Sequence, residues 1–206
     1  MRGVNRYAAV TAGLFLWGAG GAALDDVALL HDVVSVMTPW LALFLIAALT
    51  RQPSPTGVFI STVLGSVGGV VAYYAWKDLA GQGLYVQGLL LWTAAAFVAS
   101  VLATALTLWT RQRPSWAVPL LLAGGGFGVG EAVWLVATSE PSTGAVLAAG
   151  VDVALALLLL VLADRSRAPA AARPRAAEQK LDRLGWLGSG AALFWIVLLS
   201  IRTLMP

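Results

Sequence analysis

Long runs of apolar residues, separated by short polar segments, dominate the chain. A helix needs about 20 apolar residues to cross the roughly 30 Å hydrocarbon core of a bilayer. Seven runs reach or approach this length, and each is predicted to form a membrane-spanning helix: residues 7–24, 36–50, 56–76, 87–110, 115–138, 143–163 and 184–204. The pattern therefore predicts an all-α polytopic transmembrane bundle that forms one domain over residues 1–206.

The second run, residues 36–50, is the shortest of the seven. Pro39 lies near its start and has no backbone N–H, so the run is also compatible with a kink or a re-entrant segment. A bundle of six helices, without this run, is the alternative to seven.

Basic residues are distributed unevenly between the two sides of the predicted bundle. With a cytoplasmic N-terminus, only Lys77 and Arg202 of the 13 Lys and Arg residues lie outside, and positive residues near short loops favour the cytoplasm. Removing the second run would place Arg51, Arg111 and Arg113 on the side opposite the N-terminus. The asymmetry therefore favours seven helices in a multi-pass protein of the cell membrane, with its N-terminus in the cytoplasm.

The longest polar segment, residues 164–183, combines prolines with arginines and small side chains. It is predicted to be a mobile basic loop on the cytoplasmic side. Its arginines either only fix the topology or also contact anionic membrane lipid.

The composition restricts the classes of function. Hydrophobic residues make up 59% of the chain and charged residues 11%, which is too little charged surface for a soluble domain of this size. The absence of cysteine excludes disulfides, thiolate metal sites and cysteine nucleophiles. The net charge of +3 comes from basic residues in short gaps between apolar runs. Nucleic-acid binding is therefore not expected, and neither a cofactor nor a resident metal is predicted.

Small residues recur at four-residue spacing within two of the runs. Ser61, Gly65 and Gly69 share one helix face, as do Gly124 with Gly128 and Gly126 with Gly130. Such spacing lets helix backbones approach closely in lipid, so these positions are predicted to be helix contacts. The alternative is that residues 124–130 unwind to line a cavity, as broken helices do in transporters.

Three short motifs carry a resemblance to known proteins. They are the stretch from Pro39 to Arg51, the Ala-Tyr-Tyr-Ala motif at residues 72–75, and the Gly-Glu-Ala motif at residues 130–132. With these motifs the chain resembles an uncharacterised family of small actinobacterial multi-pass integral membrane proteins. The resemblance implies the same bundle architecture and brings no activity with it.

Two acidic residues lie inside predicted spans, Glu131 in the fifth and Asp152 in the sixth. Charged groups in a membrane helix are costly, so they usually face the bundle interior and have a function. At 1.5 Å per residue both lie roughly 10 Å below the outer surface, on consecutive antiparallel helices. Two carboxyls in a poorly hydrated site do not both ionise readily, so one is expected to be protonated near neutral pH. Glu131 and Asp152 are therefore the candidate catalytic or proton-exchanging residues, unless each is only a protonated, hydrogen-bonded structural group.

Other polar and aromatic residues complete the predicted site. Asp25 and Asp26, with the nearby His31 and Asp32, follow the first span on its outer side, and Asp25 and Asp26 are predicted to line the entrance to the pocket. A metal site at His31 lacks suitable ligand spacing, so a solvated loop or interfacial helix is favoured there.

Tryptophans inside the spans are the last candidates. Trp134 lies three residues after Glu131, and Trp92 lies within the fourth span; both are predicted substrate-binding residues. Indole faces attract cations, so an acid beside them could protonate an alkene, as in membrane-embedded terpene cyclases. The same tryptophans could also only fill gaps between helices.

Three functions remain open from the sequence. The first is a membrane protein with an outward-facing polar pocket that binds or transports a small solute, a cation or a proton. The second is a membrane-embedded enzyme that acts on a lipid or isoprenoid. The third is a non-catalytic subunit of a membrane complex, and the oligomeric state is left open.

Overall fold

Helices form every regular element in the computed structural model of the protein, which describes residues 2–27, 30–49, 54–138, 142–165, 184–192 and 195. No strand occurs in these residues, so the predicted all-α class is confirmed. The helices are α1 (Arg2–Asp25), α2 (His31–Ser35), α3 (Thr38–Leu49), α4 (Pro55–Leu79), α5 (Val86–Gln112), α6 (Ala117–Thr138) and α7 (Thr143–Arg165). A single 3-10 turn, Pro114–Trp116, precedes α6, and residues 184–192 are also helical.

Five helices are long and apolar enough to cross a membrane. They correspond to Tyr7–Asp25, Pro55–Leu79, Val86–Gln112, Pro114–Thr138 and Thr143–Asp164. These helices support a membrane protein, while the number of crossings and the orientation stay predictions. Of the predicted seventh span, residues 184–204, the structure describes 184–192 and 195. Of the predicted basic loop, residues 164–183, it describes Asp164 and Arg165, which end α7.

The second apolar run forms the short helix α3. With 12 residues, α3 is about 18 Å long at 1.5 Å per residue, which is less than the roughly 30 Å of a hydrocarbon core. It begins at Thr38 rather than at residue 36, and two non-helical residues separate it from α2. Pro39 is its second residue, a position where the missing N–H breaks no helical hydrogen bond. The interruption expected near Pro39 is therefore present, and a full crossing by this run stays a prediction.

The chain divides into two compact units. The first unit contains Met1–Ser35 and Leu43–Arg113, and the second contains Val36–Ala42 and Pro114–Pro206. The single domain over residues 1–206 stays a prediction.

In the first unit, α1 and α4 approach each other through glycines. A Cβ atom on Gly65 would lie 2.7 Å from the backbone oxygen of Thr11, and one on Gly18 would lie 2.6 Å from the carbonyl carbon of Gly69. The Thr11 hydroxyl also donates to the backbone oxygen of Ser61, at 3.1 Å. The predicted contact face of Ser61, Gly65 and Gly69 is confirmed. The backbone of Ser61 bonds to α1, and Gly65 and Gly69 leave no room for a side chain between the backbones of α1 and α4.

Several buried Ser and Thr side chains lie on α4 and α5. Thr62, Ser66, Ser100 and Thr107 are fully buried, and each donates to a backbone oxygen of its own helix. Their hydrogen-bonding capacity is satisfied locally, as expected for polar groups away from water. These hydroxyls therefore serve packing.

In the second unit, α6 packs closely against its neighbours along its glycine-rich segment. A Cβ atom on Gly125 would lie 3.3 Å from the backbone oxygen of Ala156, and one on Gly126 would overlap the backbone of Leu187. Residues 124–130 all lie inside the continuous helix α6. The alternative that this segment unwinds to line a cavity is wrong, because the missing side chains are used for close packing of an intact helix.

Candidate functional site

Glu131 is a buried acid of α6 with three hydrogen-bond donors on its carboxyl group. Only 4% of the residue is exposed. Its Oε1 accepts from the backbone N–H of Met37 at 2.8 Å, and its Oε2 accepts from the backbone N–H of Thr38 at 2.8 Å. Oε2 also accepts from the Thr38 hydroxyl at 2.6 Å. An ionised carboxylate can accept all three of these hydrogen bonds.

These bonds exist because α3 begins at this point in the fold. The N–H of Leu41 donates to the backbone oxygen of Met37 at 3.1 Å, so Met37 is the residue that precedes the first helical turn. The first N–H groups of a helix have no partner within it, and a buried N–H group without an acceptor is costly. Glu131 supplies the acceptor from another helix. The partial positive charge at a helix N-terminus also favours an ionised carboxylate there.

Asp152 of α7 lies beside Glu131 but has a different environment. It is fully buried, with 0% exposed, and neither of its carboxyl oxygens has a hydrogen-bond partner in the part of the chain that the structure describes. It is close enough to Glu131 for an electrostatic interaction, and the Thr38 side chain is also within interaction range. The second unit therefore brings the two predicted acids together.

Gly128 permits this close arrangement. A Cβ atom at Gly128 would lie 3.0 Å from Cγ2 and 3.3 Å from Oγ1 of Thr38, and 3.2 Å from the backbone oxygen of Asp152. The absence of a side chain on α6 therefore lets the start of α3 and the middle of α7 come close on one side of that helix. The predicted helix contact at Gly128 is confirmed.

The groups around Glu131 and Asp152 are better suited to binding a proton than to binding a metal ion. Both Glu131 oxygens already accept from N–H or O–H groups, and the N-terminus of α3 repels cations. Hard metal ions need several oxygen ligands, and no group of three His, Cys, Asp or Glu side chains converges among the described residues. A proton needs only one oxygen to hold it and one neighbour to accept it.

Asp25 and Asp26 belong to a cluster in the first unit. Lys77 forms salt bridges with Asp25 at 2.8 Å and with Asp26 at 2.7 Å. His31 and Tyr73 each bond to Asp25 at 2.7 Å. The hydrogen bond from Lys77 holds the pKa of the exposed Asp26 carboxyl below its ordinary value. Their assignment as entrance residues of the Glu131 pocket stays a prediction, since they lie in a different unit.

The two tryptophans proposed as substrate-binding residues have different locations. Trp134 is partly buried on α6, one turn from Glu131. Trp92 is 44% exposed on α5, in the first unit. Both assignments stay predictions, and Trp134 is the one that shares a unit with the acid pair.

Thr38 is the site residue that sequence analysis missed. In the sequence, Thr38 directly precedes Pro39, and Pro39 was interpreted only as a possible kink or re-entrant start of the second span. A Thr that directly precedes Pro and an apolar run is also a typical helix start signal. A helix that starts inside a hydrophobic stretch needs a hydrogen-bond acceptor for its first N–H groups. The Thr-Pro pair together with the buried acid Glu131 was therefore the sequence signal for this site.

Comparisons with known proteins give no functional assignment. No family model matches the chain, and no curated protein or solved structure is significantly similar to it. The resemblance to an actinobacterial membrane-protein family stays a prediction. The chemistry of Glu131, Thr38 and Asp152 is therefore the basis for a functional proposal.

Proposed function

We propose that this chain is a multi-pass integral membrane protein that takes up and releases a proton at the Glu131–Asp152 pair. The observation that carries the proposal is the fully buried Asp152 carboxyl, which has no hydrogen-bond partner among the described residues and lies next to Glu131. Buried ionisable groups in membrane proteins commonly belong to proton or ion pathways.

The unequal surroundings of the two carboxyls determine where one proton rests. Glu131 has three donors and a helix N-terminus to stabilise a negative charge. Asp152 has no donor of this kind, and an isolated buried charge costs several kcal/mol. The state of lowest free energy therefore has Glu131 ionised and Asp152 protonated. A second proton would be taken up by Glu131, and loss of the first would leave two adjacent negative charges.

The orientation supports access from the outer side. The asymmetry of Lys and Arg residues favours a cytoplasmic N-terminus in the cell membrane, which places the acid pair in the outer half of the bilayer. Reporter proteins fused after Thr138 and after Pro206 are expected to report an external location. A cytoplasmic location at Thr138 would contradict the proposed direction of access.

Infrared spectroscopy of the purified protein in lipid nanodiscs tests the proton assignment. A protonated carboxyl group has a C=O stretching band that is separate from those of ionised carboxylates. The wild-type protein is expected to show this band near neutral pH, and the band is expected to shift when the sample is moved into deuterated water. Asp152→Asn is expected to lack it.

Two results would contradict the proposed function. One is a wild-type spectrum without a protonated-carboxyl band near neutral pH. The other is a band that belongs to Asp152 but never exchanges with solvent, because such a group would be structural. The hypotheses of an isoprenoid-directed enzyme and of a complex subunit stay predictions.

A further inference from the structure

We infer that Thr38 is the relay residue through which Asp152 exchanges its proton with Glu131. The inference rests on the proposed proton binding at Asp152. It goes further because it assigns a function to a hydroxyl group and connects proton movement to the start of α3.

The geometry around Thr38 fits a relay. Its Oγ1 donates to Glu131 Oε2 at 2.6 Å, which uses its single proton. A hydroxyl oxygen also has two lone pairs that accept. Asp152 lies close by, because a Cβ atom at Gly128 would be 3.3 Å from Thr38 Oγ1 and 3.2 Å from the Asp152 backbone oxygen. The Asp152 carboxyl is within interaction range of the Thr38 side chain. A hydrogen bond from a protonated Asp152 to Thr38 Oγ1 would therefore complete the chain Asp152 to Thr38 to Glu131.

The proton transfer along this chain is balanced. The O–H bond of Asp152 breaks while a new O–H bond forms at Thr38 Oγ1. The original Thr38 proton moves to Glu131 Oε2, where a second new O–H bond forms. Thr38 ends as a neutral hydroxyl, and one negative charge has moved from Glu131 to Asp152. No other reactant is required.

The exposures of the two acids indicate the direction of exchange. Asp152 is 0% exposed and Glu131 is 4% exposed. Glu131 is the less deeply buried of the two acids, so in this relay protons reach Asp152 by way of Glu131 and Thr38. Within the described residues, the groups that interact with this pair are the two acids themselves, the Thr38 hydroxyl, and the backbone N–H groups of Met37 and Thr38.

Proton arrival at Glu131 also changes its contacts with α3. A neutral carboxyl accepts hydrogen bonds more weakly than a carboxylate, and it loses its attraction to the helix N-terminus. The bonds to Met37 and Thr38 therefore weaken each time the proton is on Glu131. Proton occupancy and the anchoring of α3 are coupled through the same three hydrogen bonds.

The test measures how fast the Asp152 infrared band shifts after transfer of nanodisc samples into deuterated water. Thr38→Val keeps the shape of the side chain and removes the hydroxyl, so exchange is expected to slow by about tenfold or more. Thr38→Ser restores a hydroxyl at the same position, and its rate is expected to equal that of the wild type. If Thr38→Val does not fold, Thr38→Ala provides the hydroxyl-free variant.

The outcomes separate this inference from the proposed function. Wild-type exchange rates in a hydroxyl-free variant would overturn the relay, and so would slow exchange in Thr38→Ser. Loss of the band in Thr38→Val alone would also overturn it, because the hydroxyl would then stabilise the protonated acid rather than transfer its proton. Absence of the band in the wild type would overturn the proton binding itself.

Discussion

Replacing Glu131 with Gln is expected to lower the free energy of unfolding by about 2–4 kcal/mol, from the cost of unsatisfied buried donors and the loss of an anion at a helix N-terminus. The two carboxyl oxygens accept from two different backbone N–H groups, those of Met37 and Thr38. An amide has one oxygen and one NH2 group. In either orientation the NH2 group therefore meets the N–H of Met37 or of Thr38, and one donor loses its acceptor.

A matched substitution exists on the neighbouring helix. Asp152→Asn makes the same change from carboxyl to amide, but neither Asp152 oxygen has a hydrogen-bond partner among the described residues. Its free energy of unfolding is expected to stay within about 1 kcal/mol of the wild type. Detergent or thermal unfolding of the purified proteins measures both. Equal stability of Glu131→Gln and the wild type would show that Glu131 does not hold the start of α3.

This difference decides which variants can report on function. Loss of proton exchange in Glu131→Gln could come from the missing carboxyl or from the disturbed start of α3. Loss of proton exchange in Asp152→Asn could come only from the missing carboxyl. The acid with the more elaborate hydrogen bonding is therefore the less informative position for a functional test.

The long spans could be predicted well from the sequence. The predicted run 56–76 corresponds to Pro55–Leu79, and 143–163 corresponds to Thr143–Arg165. Bilayer thickness requires long apolar helices, and polar loop residues end them. The start and the end of each helix can therefore be recognised from the local sequence pattern. The burial of Glu131 and Asp152 followed from the same physics, since a charged group exposed to lipid is costly.

The internal chemistry of the site could not be predicted in this way. Thr38 and Glu131 are 93 positions apart in the chain, and no local periodicity connects them. Whether a buried carboxyl receives three donors or none depends on which helix starts beside it. The same limit applies to Asp25 and Asp26, because the sequence did not indicate that both form salt bridges with Lys77.

Replacing Asp152 with Ala is expected to raise the free energy of unfolding by about 1–2 kcal/mol. Removal of a buried polar group without a partner gains about 1–3 kcal/mol, and Ala favours a helix over Asp by several tenths of a kcal/mol. The small space left behind costs roughly 1 kcal/mol. The same variant should lack the protonated-carboxyl band, so stability rises where proton binding is lost.

A buried leucine on the same helix provides the control for Asp152→Ala. Leu159 of α7 is also 0% exposed, and Leu159→Ala is expected to lower the free energy of unfolding by about 2–5 kcal/mol. If Asp152→Ala raises the free energy of unfolding and Leu159→Ala lowers it, the Asp152 carboxyl destabilises the fold. A group that lowers stability in this way is typical of a functional site. A loss of stability in Asp152→Ala as large as in Leu159→Ala would instead mean that the carboxyl has stabilising partners, and the argument for a proton on Asp152 would fail.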